Sequence, residues 1–305
     1  MNAKAASGAE ALAEVGTIAI LGVGLIGGSL GLALKAAGFA GRIIGFNRRE
    51  SEADLARARG AVDASATSMQ AAVETADLVI LCMGPGVMPS VMAQIAPVCP
   101  GHAVISDVGS VKAGIVKAGE ALFGGRFVGA HPIAGREQHG IEAALPALFA
   151  DRSCVLTPSQ GTEQRALRIV RALWQAVGSE VHEMDAGLHD QMLALTSHLP
   201  HLLAYVLLDL VAGHPQQQQI AALLGGGFRD FSRIASSDPV LWADISLQNR
   251  QALLEILADY RQQLDSLATA LAIEDGEALQ KRFSRGKMAR DALFGPHPEG
   301  LKQND

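Results

Sequence analysis

The stretch TIAILGVGLIGGSLGLALK, residues 17–35, decides the architecture. Five apolar-rich residues, Thr17 to Leu21, run into Gly22, Gly24 and Gly27, and a small-residue segment suited to a helix continues to Lys35. Strand, glycine turn and helix in that order make a phosphate-binding unit. The first glycine permits the tight turn, the second lets the backbone approach a pyrophosphate, and the third lets the helix pack closely on the strand, so that helix N-terminal amides face the anion. The segment therefore reads as a dinucleotide site with Gly22, Gly24, Leu25, Ile26 and Gly27 as its contacts.

Outward from this unit, short β-rich runs recur at Arg42 to Phe46, Asp77 to Cys82, Ala103 to Asp107, Phe127 to His131, Ser153 to Leu156 and Glu180 to Met184, with alanine-rich helical stretches between several of them. Alternating strands and helices imply a mostly parallel sheet covered on both faces, with ligands at the carboxyl ends of the strands. Asn47, Met83, Asp107 and His131 fall at such ends. The expected fold is an α/β Rossmann-type N-terminal domain, residues 17–184, behind a flexible arm of residues 1–16.

From about Asp185 the pattern turns helical, which predicts an all-α C-terminal domain over residues 185–305. Leu188, Met192, Leu195, Leu199, Leu202, Val206 and Leu210 recur at spacings of three and four and form one face of a long helix, which Pro200 is expected to kink. Beside that stripe runs a more polar row, Gln191, Ala194, His198, His201 and Tyr205, expected to look into a cleft. Gln216 to Gln219 reads as a loop. Asp238-Pro239 reads as an N-cap and first helical residue, opening a helix that carries Leu253, Leu257, Tyr260, Leu264, Leu267 and Leu271. So much apolar helix surface predicts a homodimer.

The 305-residue chain is 49% hydrophobic, enough to fill real cores without metal or disulfide staples. Its three cysteines include no CxxC pair, which suits a reducing, cytoplasmic compartment. No leader pattern and no uninterrupted apolar stretch of spanning length are read, so no membrane is expected. A net charge of −6 without a dense Lys/Arg block argues against a nucleic-acid partner. His198 and His201 lack a matching Cys/His/Glu cluster, so no metal is expected. A small-molecule substrate remains.

Two loops carry residues fit for proton chemistry, SDVGSVK at 106–112 and HPIAGRE at 131–137. A histidine at a strand end can accept a hydroxyl proton while hydride leaves the same carbon, because its ordinary pKa is near neutrality. His131 is the candidate base, and Ser110 either orients it or caps the following helix. These loops, with TSHLPH at 196–201, GGGFRDFSRIA at 225–235, Asp238-Pro239 and Trp242, resemble the prephenate/arogenate dehydrogenases of tyrosine biosynthesis over roughly residues 17–290.

The resemblance implies oxidative decarboxylation of a cyclohexadiene with hydride transfer to a nicotinamide cofactor. It implies His131 as base supported by Ser110, His201 near the substrate, and Arg233 on a substrate carboxylate; Glu137 either caps or pairs locally with Arg136, or reaches the site as a substrate contact. The chain departs from the family at two places. Arg136 stands where a small hydroxylated residue is common, and Asn47-Arg48-Arg49 stands where NAD-preferring members carry Asp. An uncharged Asn47 removes a repulsion and Arg48 or Arg49 can pair with a 2′-phosphate, so NADP is expected to be preferred with NAD possible. The competing readings are a β-hydroxyacid dehydrogenase or imine reductase, whose hydroxyacid members rely on a helical-domain lysine that this chain lacks between Lys117 and Lys281, and a non-catalytic dinucleotide sensor.

Overall fold

Eight strands form one sheet in the order β3-β2-β1-β4-β5-β6-β7-β8. Strands β1 (Thr17–Leu21), β2 (Arg42–Phe46), β3 (Ala64–Ser65), β4 (Leu78–Leu81), β5 (Val104–Asp107) and β6 (Phe127–Pro132) are parallel; β7 (Ser153–Thr157) pairs antiparallel with β6, and β8 (Glu180–Glu183) is parallel to β7. The computed structural model describes residues 12–136 and 138–295. The chain works outward from β1 to β3 and then returns to β4, so the order reverses between β1 and β4, where a Rossmann sheet opens its ligand crevice.

Helices α1 (Leu25–Ala36), α2 (Glu50–Ala58), α3 (Met69–Val73), α4 (Met88–Ile95), α5 (Ala113–Phe123) and α6 (Gln164–Ala176) connect and cover the strands. Alternating residues of the central strands enter two cores. Ile18, Ile20, Leu78 and Ile80 pack with Leu30 and Leu34 of α1 and Leu173 of α6. Ala19, Leu21, Val79 and Leu81 pack on the other face with Met92 of α4 and Ile115 of α5. The described part of the expected arm is not loose: Leu12 and Val15 are buried in the first core, while residues 1–11 lie outside the described residues.

From Ala186 onward the sequence forms helices: α7 (Ala186–Leu193), α8 (Leu199–Ala212), α9 (Gln217–Ala221), α10 (Gly226–Ser232), α11 (Pro239–Gln248), α12 (Arg250–Ala272) and α13 (Gly276–Phe294). The winding of the helix changes at Pro200. A π-helical turn, Ala194–His198, precedes α8, so the helix is widened where the proline ring needs room. Its missing N–H falls in the first turn of α8, where no intrahelical bond needs it. The expected Gln216 to Gln219 loop is largely the short α9. Asp238 does cap α11, accepting the Val240 N–H at 2.9 Å, but that helix stops at Gln248 and Asn249 breaks it from α12.

Of the apolar stripe on the Ala186–Ala212 run, Leu188, Met192, Leu195, Val206 and Leu210 are exposed and Leu199 is buried, whereas in the polar row Ala194 and His198 are buried and Gln191 is exposed. By length and mean hydropathy this run is the one helix among the described residues apolar enough to cross a membrane, although His189, Asp190 and Gln191 interrupt its apolar sequence. Its buried His189, Asp190 and His198 are nevertheless tied by hydrogen bonds into the sheet-bearing unit.

The chain divides into two compact units, one through Leu253 and one from Leu254. Within the second, Arg282 of α13 donates to the Gln263 carbonyl at 2.9 Å and to Ser266 Oγ at 2.8 Å on α12.

Gly31 shows how closely α1 approaches the connection after α2. A Cβ there would lie 2.0 Å from the Ala61 carbonyl oxygen, a backbone atom. Alanine in a helix interior gains up to about 1 kcal/mol over glycine, but overpacking a tight contact costs about 1–3 kcal/mol. Gly31→Ala is expected to lower the urea midpoint; a raised midpoint would show that the contact relaxes freely.

Candidate active site

The glycine turn divides its tasks as the sequence suggested. Gly22 has φ +100°, and a Cβ on it would lie 2.2 Å from the Cys82 carbonyl oxygen, so the ends of β1 and β4 meet only because it lacks one. A Cβ on Gly27 would lie 2.3 Å from the Gly22 oxygen, while one on Gly24 would meet nothing within 4 Å. The backbone at Gly24 is thus open on its free side, and α1 begins there with no side-chain cap on its first amides. This cradle fits a dinucleotide pyrophosphate held by the N–H groups around Leu25, Ile26 and Gly27. Met83 lies on the neighbouring loop after β4.

Asn47 follows the last residue of β2. Its Oδ1 accepts the Arg48 N–H at 2.9 Å and its Nδ2 donates to Glu52 Oε2 at 2.6 Å. Arg49 pairs with the same Glu52, and Arg48 is exposed.

Asp107, at the end of β5, points inward. Its fully buried carboxylate pairs with buried Lys112 and accepts the Gly109 N–H at 2.8 Å and the Ala130 N–H at 3.1 Å. Lys112 Nζ also donates to the Ala130 carbonyl at 2.8 Å. The Asp107 side chain, read from sequence as a cofactor contact, therefore locks the 107–112 loop to β6 instead, with every oxygen engaged inside the fold.

His131 projects from β6 where the parallel ladder with β5 has ended and antiparallel β7 carries the strand on, pairing His131 with Val155. Its Nδ1 lies 2.9 Å from His189 Nε2, and His189 Nδ1 lies 2.8 Å from Asp190 Oδ1. Asp190 also accepts the Lys112 N–H at 2.7 Å and the Ala113 N–H at 2.9 Å, which satisfies the start of α5 from another helix. Ser110 is partly buried in the loop before that helix; the N-cap position belongs to Lys112, so Ser110 is not the cap.

A carboxylate only accepts, so His189 carries its proton on Nδ1 and offers Nε2 to an Nδ1–H of His131. In this neutral pair the His131 Nε2 keeps its lone pair. Burial, the neighbouring imidazole of His189, the Lys112 charge and His198 hold His131 well below the ordinary histidine pKa. The imidazole of His131 is neutral at neutral pH, with Nε2 bare.

On the helical side, Asn249 Nδ2 donates to the Asp190 carbonyl at 2.8 Å and lies 3.0 Å from His198 Nδ1. His198 thus accepts on Nδ1 and carries its proton on the buried Nε2, and a backbone hydrogen bond with Ser110 partly offsets the effect of burial on its pKa. His201 stacks on Trp242 with ring centroids 3.6 Å apart and bonds through Nδ1 to the Ser197 carbonyl at 2.9 Å. Burial first, and then the Arg233 cation, push its pKa down. The charge of Arg233 is thus felt at His201. Arg136 is exposed and lines an open cavity of about 410 Å³ together with Arg152. Glu137 lies outside the described residues.

His189, Asp190 and Asn249 were missed from sequence. The signal for Asp190 was present: stepping back from His198 by four reaches Ala194 and then Asp190, one turn above the polar row.

The chain matches the family model described as prephenate dehydrogenase, nucleotide-binding domain, over residues 30–183, and its dimerization-domain counterpart over residues 185–285. It is 38% identical to the cyclohexadienyl dehydrogenase of Zymomonas mobilis over 283 residues, covering 92% of this chain and 97% of that one. Among solved structures, the Aquifex aeolicus prephenate dehydrogenase in complex with hydroxyphenyl propionate and NAD+ superposes with a TM-score of 0.87 at 33% identity, covering 91% of this chain and 98% of that one. The Synechocystis arogenate dehydrogenase does so with a TM-score of 0.79 at 31% identity, covering 91% and 99%.

The buried histidines make stability pH-dependent. Burial, as the largest cause, pushes His198 down to about 4 from an ordinary 6.5. A depressed histidine pKa means that the unfolded chain binds the proton first as pH falls. The contribution is whole above about pH 6.5, declines below it, and is exhausted beneath the folded value. For His198 the full loss is about 3 kcal/mol, and His131 adds to it in the same direction. Urea midpoints are expected to drop between pH 7 and 5, and His198→Gln is expected to flatten that drop. An unchanged slope in the variant would contradict the assignment.

Proposed function

The chain belongs to the prephenate dehydrogenase family, and from that premise we propose that it oxidatively decarboxylates prephenate, arogenate or both in tyrosine biosynthesis, passing a hydride to a nicotinamide dinucleotide. The observation that carries this reading for the chain's own residues is the hydrogen-bonded row His131–His189–Asp190 at the sheet edge that bears the glycine turn, from which a bare Nε2 on His131 follows.

His131 Nε2 takes the proton of the ring hydroxyl as the hydrogen on the same carbon departs with its electron pair. The cofactor, when bound, supplies the acceptor for that hydride. The ring carbon becomes a carbonyl; the bond to the ring carboxylate then breaks, carbon dioxide leaves, and its electron pair restores the aromatic ring. The ring oxygen recovers the proton from His131, so the base is regenerated. His189 orients the imidazole and shares the transient positive charge with Asp190. Ser110 holds the ring oxygen. Arg233, whose charge is felt at His201, binds a side-chain carboxylate, for which a planar guanidinium offers two parallel donors. Glu137 completes this proposed substrate set.

The Gly22–Gly27 cradle with Asn47, Arg48, Arg49 and Met83 holds the dinucleotide. NADP is the preferred cofactor, supported by the absence of an acidic side chain at Asn47, with NAD accepted. The enzyme works in the cytoplasm as a homodimer. The exposed stripe from Leu188 to Leu210 and the match to a dimerization domain support that assembly.

Prephenate with NADP, followed at the absorbance of the reduced nicotinamide, is expected to give turnover. The absence of turnover with prephenate and arogenate and either cofactor would refute the function. His131→Asn is expected to lower kcat by about a hundred- to ten-thousand-fold with cofactor affinity unchanged; wild-type turnover at saturating substrate would remove His131 from the chemistry.

Light scattering at micromolar concentration is expected to give twice the chain mass. Leu195→Glu with Val206→Glu, both on the exposed stripe, should shift the protein toward monomer; a monomeric, active wild type would contradict the dimer.

A further inference from the structure

Discrimination between a 2′-hydroxyl and a 2′-phosphate on the adenosine ribose normally falls to the residue closing the second strand. That residue is Asn47, whose side chain is fixed on both ends: Oδ1 by the Arg48 N–H, Nδ2 by Glu52 Oε2. The second oxygen of Glu52 holds the guanidinium of Arg49. The Glu52 side chain is 27% exposed and that of Arg49 78%, so the carboxylate is the seated partner and the guanidinium the one reaching into solvent. The acid missing from the strand end is thus supplied five residues later, from the first turn of α2, where the helix dipole favours a negative charge.

We propose that Glu52 sets the balance between 2′-phosphorylated and unphosphorylated dinucleotides. The proposal rests on the nicotinamide-dinucleotide reading above, but not on which cofactor the wild type prefers. A ribose 2′-phosphate carries close to two negative charges at neutral pH. It meets Arg48 and Arg49 as attractors and Glu52 as a repulsive group that also occupies Arg49. An unphosphorylated ribose meets no such penalty and finds in Glu52 an acceptor for its hydroxyl. Two arginines after β2 therefore count for less than their number suggests, because one of them is already neutralised.

Glu52→Gln separates these effects. Its amide oxygen still accepts from Asn47 Nδ2, so the turn keeps its shape, while Arg49 is released and the negative charge is gone. Calorimetric titration of the full-length protein with adenosine 2′,5′-bisphosphate and with adenosine 5′-monophosphate reads affinity without turnover. The dissociation constant of the bisphosphate is expected to fall about tenfold in Glu52→Gln, the scale of one charge-assisted contact, while that of the monophosphate changes less than about threefold. Arg49→Gln in the same background should return the bisphosphate affinity toward the wild-type value. A bisphosphate-to-monophosphate ratio unchanged within twofold in Glu52→Gln, or a gain that survives Arg49→Gln, overturns the proposal. A wild type that binds NAD more tightly than NADP, with the ratio still shifting in the variant, refutes only the NADP preference.

Discussion

The carboxylate of Asp190 is the group on which the site depends. One of its oxygens receives both the Lys112 N–H and His189 Nδ1, and the other receives the Ala113 N–H. A single buried anion thereby starts α5, fixes α7 against it, and determines which nitrogen of His189 is protonated. That choice passes through His189 to His131. The backbone carbonyl of the same residue receives Asn249, which in turn fixes His198. The protonation states of three histidines follow from one acceptor and its residue's own main chain.

The fold around this group was largely legible in sequence, because strand and turn signals are local. The six β-rich runs agree with strands within a residue or two, and only the two-residue β3 was missed. The tight-turn reading of Gly22 and the close-packing reading of Gly27 agree with the short approaches a Cβ would make there, to the Cys82 carbonyl and to the Gly22 oxygen. The buried network was not legible: His131 meets His189 across 58 positions and Lys112 meets Asp190 across 78, and no spacing rule spans those distances. Asp107 was misread for a related reason. A carboxylate at a strand end suggests a ligand, but a buried lysine five residues later claims it first, since an unpaired buried charge of either sign costs several kcal/mol (roughly 3–5).

The helical half shows where periodicity alone misleads. Spacings of three and four identified two rows on the Ala186–Ala212 run, but spacing does not say which members of a row the chain itself covers: Leu199 is buried and Leu195 exposed in one row, His198 buried and Gln191 exposed in the other. Within the chain, His198 is buried because Asn249 meets its ring, and most of the apolar row is left exposed. A π turn precedes Pro200, and Asn249, which spacing does not single out, stands at the break between α11 and α12 with its amide bonded to Asp190 and His198.

The central claim is that Asp190, through His189, leaves His131 with a free Nε2. Long-range nitrogen–proton correlation spectra of protein labelled with 15N-histidine, at pH 7 and without substrate, report the protonation of each ring nitrogen directly. The account predicts His131 as the neutral tautomer protonated on Nδ1, with a bare Nε2. A His131 protonated on Nε2, or on both nitrogens, would contradict it.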